Sequence, residues 1–380
     1  MTRVRIMFFV VMVVIVGFLG YITTMYARGY RWDRKSFEFT PSGLLVVTSD
    51  PKGAEIYVNG VLKTATDATV NLPPGNYQVS IKKNSFLTWE KTLRIEKEIV
   101  TQVDVTLFQA AGSLTPLTFS GAASPSASTD FGKIAYGDKK GLWITETFNL
   151  PIGFNREPRQ VTDGDLSGAT WKFSPDSRQT LLTTKTGAYL LDTGKFTPQG
   201  QRVNIAANLE ATLSDWNKKK EQGLNAQLLK LPQTLQYILK AKAGSVTFSP
   251  DENRILYTAS ESAQIPEKHN PQLPGSSTQQ QERDIKPKVT YIYDIKEDRN
   301  FRVADENQPA YWFPSSGHVI LPMKDKIVIE DYDGTNKQTV YSGSYVAPYA
   351  YPFSSTGRLI ILTNLGSNVS IANLYSLSLR

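Results

Sequence analysis

The sequence predicts a mainly β protein with one N-terminal transmembrane helix, a small β-sandwich, and a β-propeller of five blades, or six, that carries a helical insertion. Three observations support this prediction. One stretch near the N-terminus is long and apolar enough to cross a bilayer, short alternating strands follow it, and one turn motif recurs through the rest of the chain. Together they divide the chain into an anchor and two β domains.

Residues 6–25 are predicted to span the membrane. This stretch has 20 residues without a charge, and a helix of that length covers about 30 Å, the thickness of the hydrocarbon core. Residues 1–5 form a short tail before it. An uncleaved signal-anchor is favoured over a cleaved signal peptide, because the apolar core is long and no A-x-A-like site follows. Aromatic residues crowd the exit side, as at a membrane interface: Tyr21, Tyr26, Tyr30 and Trp32.

The orientation of this helix has two interpretations. The flank after the span is the more basic one, with Arg28, Arg31, Arg34 and Lys35 against Arg3 and Arg5, and the more basic flank usually stays in the cytoplasm. However, exported anchors also begin with a short basic N-terminus, and long domains cross largely regardless of charge. We expect a single-pass cell-membrane protein with its C-terminal domains outside the cytoplasm, mostly because of the family resemblance described next.

Residues 43–108 predict a compact β-sandwich, which a linker at 26–42 joins to the helix. Short alternating strands are broken by turns, of which Asp50-Pro51-Lys52-Gly53 and the Asn59-Gly60 hairpin are the clearest. The aromatic side chains of this segment are predicted to fill its core rather than to bind a ligand: Tyr57, Tyr77, Phe86 and Trp89.

This segment resembles the PEGA domain. That family is named for a Pro-Glu-Gly-Ala turn, which here reads Pro51-Lys52-Gly53-Ala54, with lysine at the second position. Two further motifs follow in order, Ile56-Tyr57-Val58-Asn59-Gly60 and Leu72-Pro73-Pro74-Gly75-Asn76-Tyr77. The resemblance implies a non-catalytic β module of envelope and surface-layer proteins, and it brings no catalytic residue with it.

Residues 113–380 are predicted to form the propeller, because one unit recurs along them. Copies begin at Ser128, Ser174 and Ser249, and weaker copies begin at Phe313 and Phe353. Each copy couples a strand, a tight polar turn and a more buried strand, and a third and often a fourth strand follow. The segment 113–118 is predicted to supply the strand that the last blade lacks and so to close the ring.

The copies are 46, 75, 64 and 40 residues apart, and the two long intervals each contain an insertion. Residues 204–241 have a helical pattern, and the Pro/Gln/Ser-rich residues 262–288 are predicted to be a mobile surface loop. Removing these 38 and 27 residues shortens both long intervals to 37, which restores the period. The longest interval also leaves room for a degenerate sixth blade.

The helical insertion is predicted to be a hairpin. Its first helix has one apolar face, formed by Ile205, Leu209, Leu213 and Trp216. Gly223 is the expected end of that helix, and Pro232 forces a break or a new start. Its apolar face has two possible partners, the protein's own propeller or another envelope protein.

The chemistry of the chain is sparse. The sequence has no cysteine, so disulfides, thiolate metal sites and cysteine nucleophiles are excluded. His318 is predicted in a blade turn and His269 in a polar loop, so we expect neither a shared metal nor a Ser-His-Asp site.

The segment Asp331 to Asn336 resembles a calcium loop without its later glutamate, and a hairpin turn is favoured. Lys and Arg exceed Asp and Glu by 7, without the concentrated basic face typical of nucleic-acid binding.

The Phe-Ser-Pro-Asp copies at Phe173 and Phe248 resemble the repeats of TolB-like propellers. The order of anchor, PEGA-like module and propeller looks like that of bacterial envelope proteins. This resemblance implies a membrane-anchored, non-catalytic protein that contacts the bilayer through residues 6–25. It would act as a structural or interaction platform for an envelope protein or a cell-wall glycan. No catalytic, cofactor-binding or metal-ligating residue is assigned.

Two other functions stay open. One is a propeller-based enzyme or small-molecule (glycan) binder that uses the central channel, for which paired inward carboxylates would be the signature. The other is a sensor that couples external binding to the short N-terminal tail through a partner.

Overall fold

The computed structural model describes residues 2–33, 38–147, 157–267, 277–305, 308–353, 357–365 and 371–380. The chain divides into two compact units, Met1–Leu107 with Pro271–Thr278 and Phe108–Asn270 with Gln279–Arg380. His269 and the turn residues 354–356 of the fifth repeat lie outside the described residues.

The first unit begins with helix α1 (Thr2–Ala27), which covers the predicted span. Among the described residues it is the one helix long and apolar enough to cross a membrane, and its side chains are exposed along its length. After Ala27 the chain turns away from the helix at Gly29, whose φ of +89° is left-handed, and Tyr30 N–H donates back to the Met25 carbonyl at 3.0 Å. Strands β1 (Arg31–Asp33) and β2 (Glu38–Thr40) then pair antiparallel within the expected linker.

The rest of the first unit is a two-sheet sandwich. One sheet has the order β6-β3-β9 and the other β5-β4-β7-β8. The strands are β3 (Gly43–Asp50), β4 (Glu55–Val58), β5 (Val61–Ala65), β6 (Ala68–Leu72), β7 (Gly75–Lys82), β8 (Trp89–Ile95) and β9 (Val100–Thr106). Inward positions alternate along β3 and β4, so the buried side chains of both sheets form one core.

The core prediction for the aromatic residues is confirmed for three of the four. Trp89 is buried, and Tyr77 and Phe86 pack against the core. Tyr57 is the exception, because Ile56 and Val58 on either side of it point inward and the strand period turns it outward. Its hydroxyl donates to Glu55 at 2.8 Å, and the Lys82 ammonium lies 4.8 Å from its ring centroid.

Among its described residues, the second unit contains five antiparallel sheets of three or four strands in chain order, and one further two-stranded pair. Sheet one is β11 (Ala123–Ala127), β12 (Lys133–Asp138), β13 (Gly141–Glu146) and β14 (Arg159–Asp163), and sheet two is β15 (Thr170–Phe173), β16 (Gln179–Thr184) and β17 (Gly187–Asp192). Sheet three is β18 (Ala243–Phe248), β19 (Arg254–Ala259), β22 (Thr290–Asp294) and β23 (Arg299–Ala304). Sheet four is β24 (Tyr311–Trp312), β25 (His318–Pro322), β26 (Lys326–Asp331) and β27 (Gln338–Ser342). Sheet five is β28 (Ala350–Pro352), β29 (Arg358–Thr363) and β30 (Asn373–Ser378), with β10 (Leu114–Pro116) at its edge.

The two ends of this unit meet as predicted. Strand β10 pairs with β30, with Leu114 opposite Leu377, so the start of the unit completes its last sheet. Sheets one and five share an apolar cluster, and so do sheets one and two and sheets three and four. This is the order of a closed propeller.

Helices occupy the longest interval, where room was left for a sixth blade. Short 3₁₀ turns at Gln199–Gln201 and Ala206–Asn208 lead into α2 (Leu209–Leu228) and α3 (Gln233–Ala241). The prediction that Gly223 ends the first helix was wrong, because α2 continues through it; a mid-helix glycine costs only about 1 kcal/mol relative to alanine. The new start after Pro232 is confirmed.

The apolar face of α3 packs on the protein's own propeller. Leu235, Ile238 and Leu239 are buried in a cluster with side chains of sheet three. The described ends of 262–288 join the same cluster, since β20 (Ala263–Gln264) pairs with β21 (Asp284–Ile285) and the side chains of Ile265 and Ile285 are buried. These ends are therefore packed and not a surface loop, because two isoleucines amid the polar composition provide apolar anchors.

Candidate functional site

A cavity of about 1440 Å³ lies inside the second unit. Its walls include residues of β11, β18, β24 and β28, the first strands of sheets one, three, four and five, together with residues of α2 and α3. The first strand of sheet two does not contribute to the lining. The helices therefore complete the wall where a sheet would otherwise stand.

Three aromatic rings from different sheets meet at this cavity. Phe131, in the turn after β11, lies edge-on to Tyr311 of β24 with their ring centroids 5.5 Å apart. Tyr311 in turn lies 5.9 Å from Tyr351 of β28. The fold thus gathers residues that are far apart in the sequence, and no local spacing in the sequence indicates the group.

The two tyrosine hydroxyls of this group differ. Tyr351 donates to the Pro125 carbonyl at 2.8 Å, whereas the Tyr311 hydroxyl has no hydrogen-bond partner among the described residues. Burial raises the pKa of Tyr311, so its hydroxyl stays protonated at neutral pH and can donate to a bound group. The cavity therefore offers apolar ring surface beside an available hydroxyl.

Other polar lining groups bond mostly to one another. Thr258 and Thr290 share a hydrogen bond of 2.9 Å, and the Trp312 indole donates to the Thr247 carbonyl at 3.2 Å. Charge comes from Lys220 and Glu221 of α2, Lys240 of α3, and Asp130. These groups suit recognition by contact and hydrogen bonding.

Asp130 belongs to a turn that the fold repeats. In sheets one, two and three a serine hydroxyl donates to the aspartate two residues on at 2.6 Å: Ser128 to Asp130, Ser174 to Asp176 and Ser249 to Asp251. The same serine oxygen accepts a backbone N–H five residues on, at 2.9–3.0 Å. Burial acts to raise the pKa of Asp130, but these hydrogen bonds outweigh it and lower the pKa, so the carboxylate is ionised and engaged in the turn.

The fourth sheet replaces this turn with a Ser-His-Asp line that was not expected. The Ser315 hydroxyl lies 2.9 Å from His318 Nδ1, and His318 Nε2 lies 3.4 Å from an Asp331 oxygen. His318 faces Asp331 across the β25–β26 ladder, a register that spacing along the chain does not reveal.

The His318 imidazole of this line packs between aromatic rings. Rings of Phe108 and Phe313 enclose the imidazole, with centroids 5.3 and 6.1 Å away, and neither Ser315 nor His318 lines the cavity. The arrangement fixes the start of β25.

The segment from Asp331 to Asn336 forms the predicted turn between β26 and β27. Gly334 N–H donates to the Asp331 carbonyl at 2.9 Å, and the Asn336 amide donates to the Asp331 carboxylate at 3.0 Å. The Asp333 carboxylate accepts from the Thr335 hydroxyl at 2.6 Å. In the part of the chain that the structure describes, no three acidic or histidine side chains are grouped as metal ligands.

Comparison with known proteins identifies the sandwich. Residues 42–111 match the family model of the PEGA domain. No curated protein matches the chain.

Solved propellers resemble the chain only distantly. A putative TolB from Agrobacterium tumefaciens is 12% identical over 68% of this chain and 78% of its own, with a TM-score of 0.23. TolB from Acinetobacter baumannii is 13% identical over 80% of this chain and 59% of its own, with a TM-score of 0.20. The Cps50 (Swd1) β-propeller domain of Myceliophteria thermophila is 11% identical over 69% of this chain and 73% of its own, with a TM-score of 0.20. The order of the sheets around the propeller is therefore inferred from the strand pairing and apolar clusters of this chain, and not from these structures.

Proposed function

We propose that this chain is a membrane-anchored, non-catalytic cell-envelope protein whose propeller holds a partner in its inner cavity. Helix α1 would be a single membrane span, and both β units would lie outside the cytoplasm. The partner would be a segment of another envelope protein or a cell-wall glycan. The observation that carries this proposal is the cavity itself, which joins aromatic rings from three sheets to an available hydroxyl.

The charged groups of the cavity support binding over catalysis. Among the described lining residues, the carboxylates are Asp130 and Glu221. A glycoside hydrolase needs two carboxylates facing one bond, and Asp130 is already committed to its turn. The lining instead offers stacking surface and hydroxyls, which suit sugars and peptide side chains alike.

The anchor and the sandwich support the location. Helix α1 has the length and composition of a membrane-crossing segment, and the PEGA match follows it closely. A module of this kind fits a spacer between a bilayer and a binding domain.

A photo-crosslinking amino acid in place of Tyr311 tests the cavity in intact cells. We expect a discrete adduct with a protein or a wall glycan from position 311. The control places the same residue at Tyr237 of α3, whose side chain is 62% exposed. Equal adducts at both positions, or none at either, would refute a cavity-bound partner.

Protease treatment of spheroplasts tests the orientation. We expect the β units to be digested without lysis. Digestion only after lysis would place them in the cytoplasm and would overturn the proposed location.

A further inference from the structure

The end of α1 is held to the sandwich by specific bonds within the first unit. Ser42, just before β3, donates to the Gly29 carbonyl from its backbone N–H at 3.2 Å and also from its hydroxyl. The Ser42 carbonyl accepts the Glu98 N–H at 3.0 Å, and the Glu98 carboxylate pairs with Arg28 at 3.3 Å. The helix exit is thus a folded junction.

An aromatic group extends from this junction along the β1–β2 pair. Trp32 and Phe39 lie opposite each other in the ladder, and their rings meet at 5.1 Å. The Phe39 ring also meets Tyr26, at the end of the helix, at 5.8 Å. Trp32 and Tyr26 are 45% and 44% exposed, so part of this aromatic surface is open to the surroundings of the unit.

The depth of this group follows from the length of the span. If residues 6–25 fill the hydrocarbon core, Tyr26 lies where the headgroup region begins, a layer about 5–8 Å thick on each side. The Phe39 ring lies between the two, with its centroid less than 6 Å from the ring centroids of both Tyr26 and Trp32. Tryptophan and tyrosine favour this layer, since their rings are apolar and their N–H and O–H groups can bond to water and headgroups.

One cation beside the group, Arg31, also fits this layer. Arg31 Nη1 lies 3.3 Å from the carbonyls of Tyr26 and Tyr30, and its guanidinium lies 5.5 Å from the Tyr26 ring centroid. A cation at the C-terminal end of a helix is favoured by the helix dipole, and a basic side chain beside a bilayer favours phosphate headgroups.

We propose that the β1–β2 pair is a second membrane contact, with Trp32 and Phe39 seated in the headgroup layer of the bilayer. This inference rests on the proposed anchoring by α1. Together with the bonds from Ser42 and Glu98, this contact holds the sandwich at a fixed height above the membrane. A flexible linker at the same place would let the sandwich move.

The absence of cysteine makes the contact directly measurable in the full-length protein. Trp32→Cys and Phe39→Cys variants carry an environment-sensitive fluorophore, and the chain is reconstituted in phosphatidylcholine vesicles with and without phosphatidylglycerol. The control is Leu62→Cys on β5, whose side chain is 53% exposed in the same unit. Phe18→Cys reports on the anchor, and circular dichroism checks that each variant folds.

A headgroup-attached quencher should reduce the signal from positions 32 and 39 about twofold more than that from position 62, because only the interfacial sites meet the quencher. Equal quenching at 32, 39 and 62, with Phe18→Cys quenched by an acyl-chain quencher, would refute the second contact and leave the anchor standing. Loss of acyl-chain quenching at position 18 would refute both. If quenching at 32 and 39 requires phosphatidylglycerol, the contact selects anionic lipid; if it does not, aromatic burial suffices, and either result supports the contact.

Discussion

The two faces of sheet three meet different neighbours, sheet four on one side and helices on the other. Successive side chains of β19 point to opposite faces, so Leu256 packs against sheet four, and Ile255 and Tyr257 pack against the helices. One strand thus serves two kinds of packing.

The face toward sheet four contains buried charges. Arg254 pairs with Asp294 at 2.7 Å, donates to the Ser316 carbonyl of the next turn at 3.1 Å, and lies 3.9 Å above the Tyr332 ring. Farther along, buried Glu330 pairs with Lys337 at 3.1 Å, and Lys337 also reaches the Val303 carbonyl at 3.4 Å. A neighbouring sheet therefore supplies carbonyl groups that satisfy cations.

The face toward the helices is mostly apolar and aromatic. Tyr257 and Tyr291 stack with centroids 5.8 Å apart beneath Leu228, Leu235 and Leu239. Helix backbone groups already bond within the helix, so such a neighbour offers side chains and few free carbonyls. The polar contact to the turn of sheet three is peripheral, from Gln227 and Lys230 to Glu252. One ion pair is also buried beside this cluster: Arg283, whose side chain is 13% exposed, lies 3.5 Å from Asp298, which accepts from the Tyr293 hydroxyl.

The largest expected effect comes from removing the cation between sheets three and four. Arg254→Met leaves Asp294, which is 2% exposed, without its ion-pair partner. We expect the free energy of unfolding to fall by about 3–5 kcal/mol, measured by urea unfolding of the full chain in detergent.

The matched control is Lys133→Met at the junction of sheets one and two. Lys133 donates to the Ser177 carbonyl and the Thr193 hydroxyl, both at 2.9 Å, with no carboxylate left buried. We expect a loss of about 1 kcal/mol. Equal losses for the two variants would contradict the role given to Asp294.

The apolar contacts of the two faces are compared by removing one leucine from each neighbour. Leu321→Ala in sheet four and Leu239→Ala in α3 remove side chains that are each 1% exposed. We expect losses of about 3–5 and 2–3 kcal/mol, because a short helix can shift to fill a cavity and a strand bonded on both sides cannot. A larger loss for Leu239→Ala, in the same unfolding assay, would show that the helices are the more rigid neighbour.

The last prediction concerns an effect that depends on pH. Burial raises the pKa of Glu330 to about 7, despite the opposing effect of Lys337. The folded state therefore keeps a proton that the unfolded state loses near pH 4.5, so this group's contribution to stability falls as pH rises from about 4.5 to 7 and is constant above that range. Glu330→Gln should be more stable relative to the wild type at pH 8 than at pH 5, by up to about 3 kcal/mol.

Exposed Glu210→Gln on α2 is carried through the same pH series as the control for removing a carboxylate. If the difference between Glu330→Gln and the wild type stayed the same from pH 5 to pH 8, Glu330 would be ionised throughout, with Lys337 outweighing burial.

Repeats and alternation predicted most of the second unit. The turns at Ser174 and Ser249 and the closing strand at 113–118 could be predicted, because turn chemistry is local and the ring must be completed. The two different neighbours of sheet three could not be predicted. The alternation of side chains along its strands shows that both faces are buried, but it does not show which element packs on each face. The aromatic group of the cavity and the contacts from Ser315 to Asp331 also could not be predicted. They depend on strand register and on closure of the ring, and the spacing of residues along the chain indicates neither.

Pairing of β10 with β30 has a consequence for synthesis. Leu114 leaves the ribosome long before its partner Leu377, which lies far later in the chain. The fifth sheet therefore stays incomplete until β30 has been made, well after α1 has emerged. Strand β10 must stay available for pairing throughout that delay, and a chain without β30 would leave the ring unsealed.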